Sequence, residues 1–295
     1  MRWERRGTSQ NIEDRRGAGG GGRRGGSGTK LGLGATILIL LVAYVLKVDP
    51  QTLFGAAEAV SGTTGGGAST AQSSGPTAAP SPEEDEQVQF VSFVLDDAQA
   101  TWQRLFQARG QTYRDARLVL FTDAVDSACG AADAGTGPFY CPGDQKVYID
   151  LSFFRELRTR FRAPGDFAQA YVLAHEIGHH VQTLLGTSAQ IRTAQRADPS
   201  RRNDLQVRME LQADCYAGVW ANGTARRNLL EMGDLEEGLA AAAAVGDDRL
   251  QREATGRVEP ERWTHGSSEM RQRWFTRGYQ TGDMSQCDTL QATSL

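Results

Sequence analysis

The chain has 295 residues, a formal net charge of −4 and 39% hydrophobic residues. This length allows one or two folded domains. Basic residues are concentrated at the N-terminus, where residues 1–30 carry eight basic and three acidic side chains. No nucleic-acid-binding motif and no interleaved aromatic residues accompany this basic segment, so composition and charge argue against a nucleic-acid partner.

The N-terminal region predicts a membrane anchor. Residues 1–30 are rich in Gly and Arg, which predicts a basic disordered tail. The apolar, uncharged stretch Leu31–Leu46 follows; it is slightly shorter than a typical span of about 20 residues, but Lys30 and Lys47 can snorkel. We therefore predict one transmembrane helix over 31–48 that acts as a signal-anchor. A cleaved signal peptide is the alternative.

The charge distribution predicts the orientation of this anchor. Positive charge collects on the cytoplasmic side, so residues 1–30 are expected in the cytoplasm and the larger domain outside a bacterial cell membrane, in a single-pass arrangement. Residues 49–88 are rich in Gly, Ala, Ser, Thr and Pro, which predicts a flexible linker. Residues 89–290 then form the folded domain, followed by a tail over 291–295.

The folded domain shows helical and strand periodicity in alternation. The predicted elements are a helix over 88–109, a strand over 117–121, a hairpin of 137–140 and 146–150, a helix from Ser152, a long helix after Asp166, and helices over 203–221, 224–245 and 267–280. The sum is an α+β domain, mainly helical with a small β-sheet.

Four cysteines agree with an exported domain. An even number outside the cytoplasm predicts two disulfides. A bond between Cys129 and Cys141 would close a short Gly-rich loop, and a bond between Cys215 and Cys287 would tie a helix to the C-terminal segment. Three pairings are possible and the sequence does not choose between them; free buried thiols are the alternative.

The most informative motif is His175-Glu-Ile-Gly-His179. On a helix, residues four apart project from one face, so both imidazoles can bind one zinc ion. Glu176 lies beside them, where it can take a proton from a water held on the metal. The adjacent His180 points about 100 degrees away from His179 and is expected to pack in the interior.

A zinc site of this kind needs a third protein ligand and an open position. Glu210 is the best candidate, because it lies on the next long predicted helix, and Asp214 follows one turn later on the same face. Asp214 suits the carboxylate that receives the second ring proton of a ligand histidine. His265 has three possible roles: an alternative third ligand, a hydrogen-bond donor to the oxyanion of the reaction, or a structural loop histidine.

This arrangement resembles the gluzincin plan, in which a downstream Glu completes the site and an Asp four residues later supports a histidine. More closely, the chain resembles the bacterial putative neutral zinc metallopeptidase family of membrane-anchored proteins. The similar segments are Gly137–Pro142, Val147–Asp150, Ala174–Gln182, Glu210–Trp220, Thr264–Gly266 and Arg271–Phe275. They span most of residues 89–290, and the resemblance implies a zincin-like fold.

The sequence therefore predicts a membrane-anchored zinc metallopeptidase with one zinc ion per chain. Glu176 would serve as general base in the hydrolysis of a peptide or protein substrate, and the apolar helix would contact membrane lipid. The alternative is a non-catalytic, zinc-stabilised envelope module for binding or assembly. An open coordination position with a cleft beside Glu176 would favour the enzyme, and a closed four-ligand site would favour the binding module.

Overall fold

A computed structural model describes residues 1–16 and 81–295, and their fold is mixed α+β, mostly helical with small sheets. The fold class is therefore as predicted. The strands are β1 (Ile12–Asp14), β2 (Arg117–Phe121), β3 (Ala124–Ser127), β4 (Gly130–Asp133), β5 (Phe139–Cys141) and β6 (Lys146–Asp150). The helices are α1 (Pro82–Gln107), α2 (Ser152–Thr159), α3 (Asp166–Leu184), α4 (Thr187–Ala197), α5 (Arg202–Arg226), α6 (Asp234–Ala244), α7 (Asp247–Thr255) and α8 (Ser268–Thr281).

The main sheet has the strand order β1-β2-β6-β5. Strand β2 is parallel to both β1 and β6, whereas β5 is antiparallel to β6, as the predicted hairpin requires. The alternating side chains of β2 are buried on both faces: Leu118 and Leu120 belong to the main helical core, while Val119 and Phe121 belong to a smaller core with Val125 of the hairpin β3–β4. Strand β5 is an edge strand of the described sheet.

Helix α3 is the centre of the domain and packs against α1, α5, α6 and the sheet. Two glycine contacts bring the surrounding helices close. A Cβ on Gly178 of α3 would lie 3.0 Å from the carbonyl oxygen of Ala213 on α5, and a Cβ on Gly278 of α8 would overlap the carbonyl of Cys215. Any larger side chain would separate these helices, so α5 is held against α3 on one side and α8 on the other.

The two disulfides in the domain are the two bonds described in the sequence analysis, out of three possible pairings. Cys129 bonds to Cys141 and joins the turn of the hairpin β3–β4 to β5. Cys215 bonds to Cys287 and joins α5 to the C-terminal 3-10 turn. Each bond therefore fixes an element that borders the histidine motif: the edge strand in one case and the helix of Glu210 in the other.

Residues 1–16, which we call the N-terminal strap, belong to the folded domain. The side chain of Met1 is buried, and its amino group lies 2.6 Å from Asp166 Oδ1 at the start of α3. The ring of Trp3 packs edge-on against Phe90 of α1, with the ring centroids 5.4 Å apart. The strap thus begins at α3 and passes over α1.

The second half of the strap is held by hydrogen bonds. The Ser9 backbone N–H donates to Ser92 Oγ over 3.1 Å, and the Ser9 hydroxyl donates to Asp96. Residues Ile12–Asp14 then form β1, which pairs with the outer edge of β2. The prediction of a disordered tail over 1–30 is therefore wrong for residues 1–16, because a few apolar side chains and one free sheet edge order a segment of polar composition.

Other predicted boundaries also change. Helix α1 begins at Pro82, where Ser81 and Glu84 form a capping box, so the predicted linker 49–88 is wrong at its C-terminal end. The predicted tail 291–295 is also wrong, because Arg208 donates to the carbonyl of Ala292 and Leu295 packs against the core.

Further elements depart from the predicted order. The hairpin β3–β4 and the helices α4 and α7 were not predicted, and α5 ends at Arg226, inside the predicted helix 224–245. The predicted transmembrane helix 31–48 lies outside the described residues. Within 1–16 and 81–295, no helix combines the length and the apolar character that a membrane crossing requires.

The contact of the strap with α1 predicts a measurable loss of stability. Trp3→Ala removes the aromatic contact with Phe90 and should lower the free energy of unfolding by about 1–3 kcal/mol. Thermal unfolding of the full chain measures this. The control is Met232→Ala, since Met232 is fully exposed and its truncation should leave the midpoint unchanged. Equal midpoints for Trp3→Ala and the parent would mean that the strap adds no stability.

Candidate metal centre

Helices α3 and α5 bring His175, His179 and Glu210 together. Glu210 Oε2 lies 3.2 Å from His175 Nε2 and 3.4 Å from His179 Nε2, and the three ligand atoms lie within 4.8 Å of one another. A tetrahedral zinc ion with ligand bonds of about 2.0–2.1 Å separates its ligand atoms by roughly 3.3 Å. Donor types and spacing therefore fit zinc, and the three residues predicted as ligands form one set.

Glu210 is oriented for single-oxygen coordination. Its Oε1 accepts a hydrogen bond from Gln206 Nε2 over 2.9 Å, which leaves Oε2 directed at the two histidines. Burial by itself would raise the pKa of Glu210, but the neighbouring His179 and His175 hold it well below its ordinary value. Glu210 is therefore an anionic carboxylate in the interior, as a metal ligand would have to be.

A buried polar network fixes the ring of His175. Its Nδ1–H donates to Asp214 Oδ1 over 2.8 Å, so Nε2 is the atom that faces the metal position. Asp214 also accepts from the Tyr171 hydroxyl and from Arg271, whose Nε and Nη2 lie 2.9 and 3.0 Å from its two oxygens. The carboxylate predicted to support a ligand histidine is in that position.

His179 has a different partner. Its Nδ1–H donates to Gln182 Oε1 over 2.9 Å, and Gln182 Nε2 donates to the carbonyl of Met209 over 2.7 Å. This chain of hydrogen bonds crosses from α3 to the helix that carries Glu210. Both histidines therefore present Nε2 to the same point, each fixed by a partner on its Nδ1.

A cleft of about 690 Å³ opens over these ligands. Glu176 lines it next to the two histidines, and its carboxylate accepts no hydrogen bond from residues 1–16 or 81–295. Phe139 and Tyr140 of β5 line one wall. The cleft thus brings together an unpaired carboxylate, three candidate ligand atoms and an edge strand.

His265 lines the same cleft but is not a member of the ligand set found in the described part of the chain. Its Nδ1 lies 3.2 Å from Asp247 Oδ1, and half of its side chain is exposed. The other oxygen, Asp247 Oδ2, accepts the backbone N–H groups of Thr264, His265 and Gly266. One buried carboxylate therefore fixes both the loop and the ring, and Nε2 is the ring nitrogen left without a hydrogen-bond partner among the described residues.

His180 is an interior residue, as its helical direction predicted. Its Nε2–H donates to the carbonyl of Arg114 over 2.6 Å, and its Nδ1 accepts from the Tyr140 hydroxyl at 3.1 Å. Burial lowers its pKa, so the ring is neutral. The hydrogen bond to Tyr140 connects β5 to α3 and holds the edge strand beside the cleft.

Four residues of the centre were given no role by the sequence: Tyr171, Gln182, Gln206 and Arg271. Spacing could have found three of them, because Tyr171 is one turn before His175, Gln182 follows His179 by three residues, and Gln206 precedes Glu210 by four. Arg271 comes from α8, far along the chain, and no local pattern connects it to the motif.

The geometry defines a candidate site for a divalent metal ion: two histidines and a glutamate converge, with the carboxylate of Glu176 beside them. The sequence profile of the family described as "Putative neutral zinc metallopeptidase" matches residues 1–290, and the chain belongs to that family. This match includes the N-terminal strap, which the segments recognised in the sequence did not.

Named relatives support the same membership. "Uncharacterized protein YpfJ" of Escherichia coli K12 is 47% identical over 294 residues, which cover 98% of each chain. "Uncharacterized protein Rv2575" of Mycobacterium tuberculosis is 47% identical over 207 residues, which cover 66% of this chain and 68% of the relative. No solved structure matches the chain.

The centre predicts that metal binding releases protons. Burial opposes protonation of His175, but the charge of Asp214 outweighs it and raises the pKa of His175 to about 9 in the metal-free protein. At pH 7 the imidazole therefore carries a proton on Nε2, which zinc must displace. Burial likewise opposes protonation of His179, but Glu210 outweighs it and raises the pKa of His179, so this ring adds to the release. Apparent zinc affinity should rise as the pH increases from 6 to 9, with one or more protons released near neutrality.

Titration calorimetry in two buffers of different ionisation enthalpy measures the released protons. Asp214→Asn is the matched variant, since loss of the carboxylate charge lowers the pKa of His175 and should reduce the number of protons released. A zinc affinity that does not change over this pH range would contradict the assignment of His175 as a ligand.

Proposed function

We propose that this protein is a zinc-dependent metallopeptidase that hydrolyses peptide bonds with one zinc ion per chain. The observation that carries the proposal is the convergence of His175, His179 and Glu210 on one point of an open cleft, with Glu176 beside them. Three protein ligands leave a fourth position for solvent. This favours an enzyme over a zinc-stabilised binding or assembly module, which would close the site with a fourth side chain.

Glu176 is the general base of the proposed reaction. His175, His179 and Glu210 would hold the zinc ion, which would supply Lewis-acid chemistry toward a carbonyl and a water molecule. Glu176 accepts the proton of the attacking water and delivers it to the leaving amine. Its carboxylate has no hydrogen-bond partner among the described residues, so it is free to exchange protons with a substrate in the cleft.

His265 is the proposed donor to the oxyanion of the tetrahedral intermediate. It lines the cleft, and Asp247 accepts from its Nδ1–H, so Nε2 can donate to an oxyanion when the ring is the imidazolium, with a proton on both nitrogens. A donor aimed at developing negative charge contributes about 3 kcal/mol to catalysis. The separation of His265 from the ligand set supports this role over direct coordination.

The substrate is proposed to be an extended peptide segment, free or within a protein. Strand β5 has β6 on one side and no described strand on the other, and its Phe139 and Tyr140 line the cleft. An extended chain that pairs with this edge would lie across the metal ligands by β-augmentation. Peptides of the cell wall share this chemistry with protein substrates, and an assay must distinguish them.

The proposed location is outside the cytoplasm, at the cell membrane. Two disulfides within the domain support a compartment in which thiols are oxidised. The apolar stretch Leu31–Leu46 supports attachment to membrane lipid.

The roles of the two glutamates can be separated. Glu176→Gln keeps the size of the side chain but removes the base, so zinc content should stay at one per chain while hydrolysis falls below detection. Glu210→Ala should lower the zinc content itself. Metal analysis with a broad peptide-library assay measures both, and Glu253→Gln, an exposed glutamate on α7, is the control. Full hydrolysis by Glu176→Gln would reject it as the base.

The role of His265 predicts a different pattern. His265→Ala should lower kcat about 100-fold with little change in KM, because the lost hydrogen bond forms only as charge develops on the substrate. Its zinc content should equal that of the parent. Loss of zinc from His265→Ala, together with retention of zinc by Glu210→Ala, would exchange the two assignments.

A further inference from the structure

The strap and the domain that follows it are one folded unit. Strap residues contact α1 through Trp3 and Ser9, and β1 extends the main sheet. In β1, Ile12 is opposite Leu118 of β2 in parallel register. These contacts involve hydrogen bonds of ordinary length and buried side chains, so both segments must be in the same compartment when the domain is folded.

This contact restricts how the chain can meet a membrane. The strap ends at residue 16 and α1 begins at Pro82, so every crossing between them lies within residues 17–80. A single crossing would leave the strap and the domain on opposite sides of a hydrocarbon layer about 30 Å thick. The hydrogen bond between Ser9 and Ser92, at 3.1 Å, could not form. The chain between the strap and α1 therefore crosses the membrane either not at all or an even number of times.

The sequence between the two segments does not provide two spans. The stretch Leu31–Leu46 holds 16 uncharged residues, whereas two crossings need about 40 apolar residues. Lys47, Asp49 and Pro50 follow it directly, and no second apolar stretch of comparable length occurs before Pro82. We propose that the strap lies on the same, extracytoplasmic side as the metal centre, and that the chain attaches to the membrane from that side alone.

Part of the positive charge that suggested a cytoplasmic N-terminus has acidic partners on the domain. Arg5 lies 3.1 Å from Glu86 of α1, and Arg2 lies 3.5 Å from Glu231. These two of the eight basic residues in 1–30 therefore bind acidic groups of the folded protein, which weakens an orientation argument that counts every basic residue. The positive-inside rule counts them as if they were free. The two disulfides of the domain favour a compartment in which thiols are oxidised, and the strap must lie in that same compartment.

Labelling of engineered cysteines tests the shared compartment. Arg6→Cys in the strap and Glu269→Cys in α8 are matched, since both side chains are more than two-thirds exposed. The full chain is produced in Escherichia coli, and intact and permeabilised spheroplasts are treated with a membrane-impermeant maleimide. Both variants should react fully before permeabilisation. Reaction of Arg6→Cys only after permeabilisation, with Glu269→Cys reacting before it, would overturn the proposal.

A second measurement reports the contact directly. The backbone nitrogen of Ser9 lies 3.1 Å from Ser92 Oγ, which places the two Cα atoms within about 7 Å, so the double variant Ser9→Cys/Ser92→Cys should form a disulfide in the full chain in membranes. Mass spectrometry of the digested protein identifies the joined peptides, and the two single variants are the controls. Absence of this bond, in a protein that still holds zinc, would show that the strap does not contact α1 in the cell. Neither result depends on peptidase activity, so the test is independent of the proposed function.

Discussion

The buried pair of Asp214 and Arg271 is the interaction on which the metal centre depends. Both side chains are almost fully buried, and the carboxylate holds two guanidinium nitrogens and the Nδ1–H of His175 at once. A buried ion pair contributes little net stability, because desolvation offsets the attraction, but removal of one partner leaves an unpaired charge in the interior. The role of the Asp214–Arg271 pair is to orient the side chains around it. It fixes the tautomer of His175. It also holds α5 in place, because Asp214 lies on α5 one turn after Glu210.

This orientation requires three helices to approach more closely than ordinary side chains allow. The glycines at 178 on α3 and 278 on α8 provide the space, and the disulfide of Cys215 holds α5 from its other side. Close packing has a direct chemical consequence, since Glu210 Oε2 reaches both histidines only at this separation. The same close packing therefore sets both the helix positions and the ligand geometry. Helix α5 links the two, because its Glu210 faces the cleft and its Asp214 faces α8.

Local patterns predicted the parts of the site that lie within one helix turn. His175, Glu176 and His179 follow from the helical period, and Asp214 follows from its spacing to Glu210. Arg271 did not follow, because its contact joins residues far apart in the chain and a single sequence holds no record of that distance. The prediction of disorder for the strap was wrong for a related reason. A segment rich in Gly and Arg looks disordered by composition, whereas its order comes from Trp3 and from the free edge of β2, neither of which a composition measures.

The strap also explains why the sheet presents one open edge to the cleft. An exposed edge of β2 would be a site for unwanted pairing with other chains, and β1 covers it. The opposite edge, β5, is left without a described partner, and the hydrogen bond from Tyr140 to His180 keeps it against α3. One edge is therefore closed by the chain's own N-terminal segment, and the other is held open next to the metal ligands. In the proposed function, an extended substrate that pairs with the open edge would lie on the side of Glu176 and the candidate ligands.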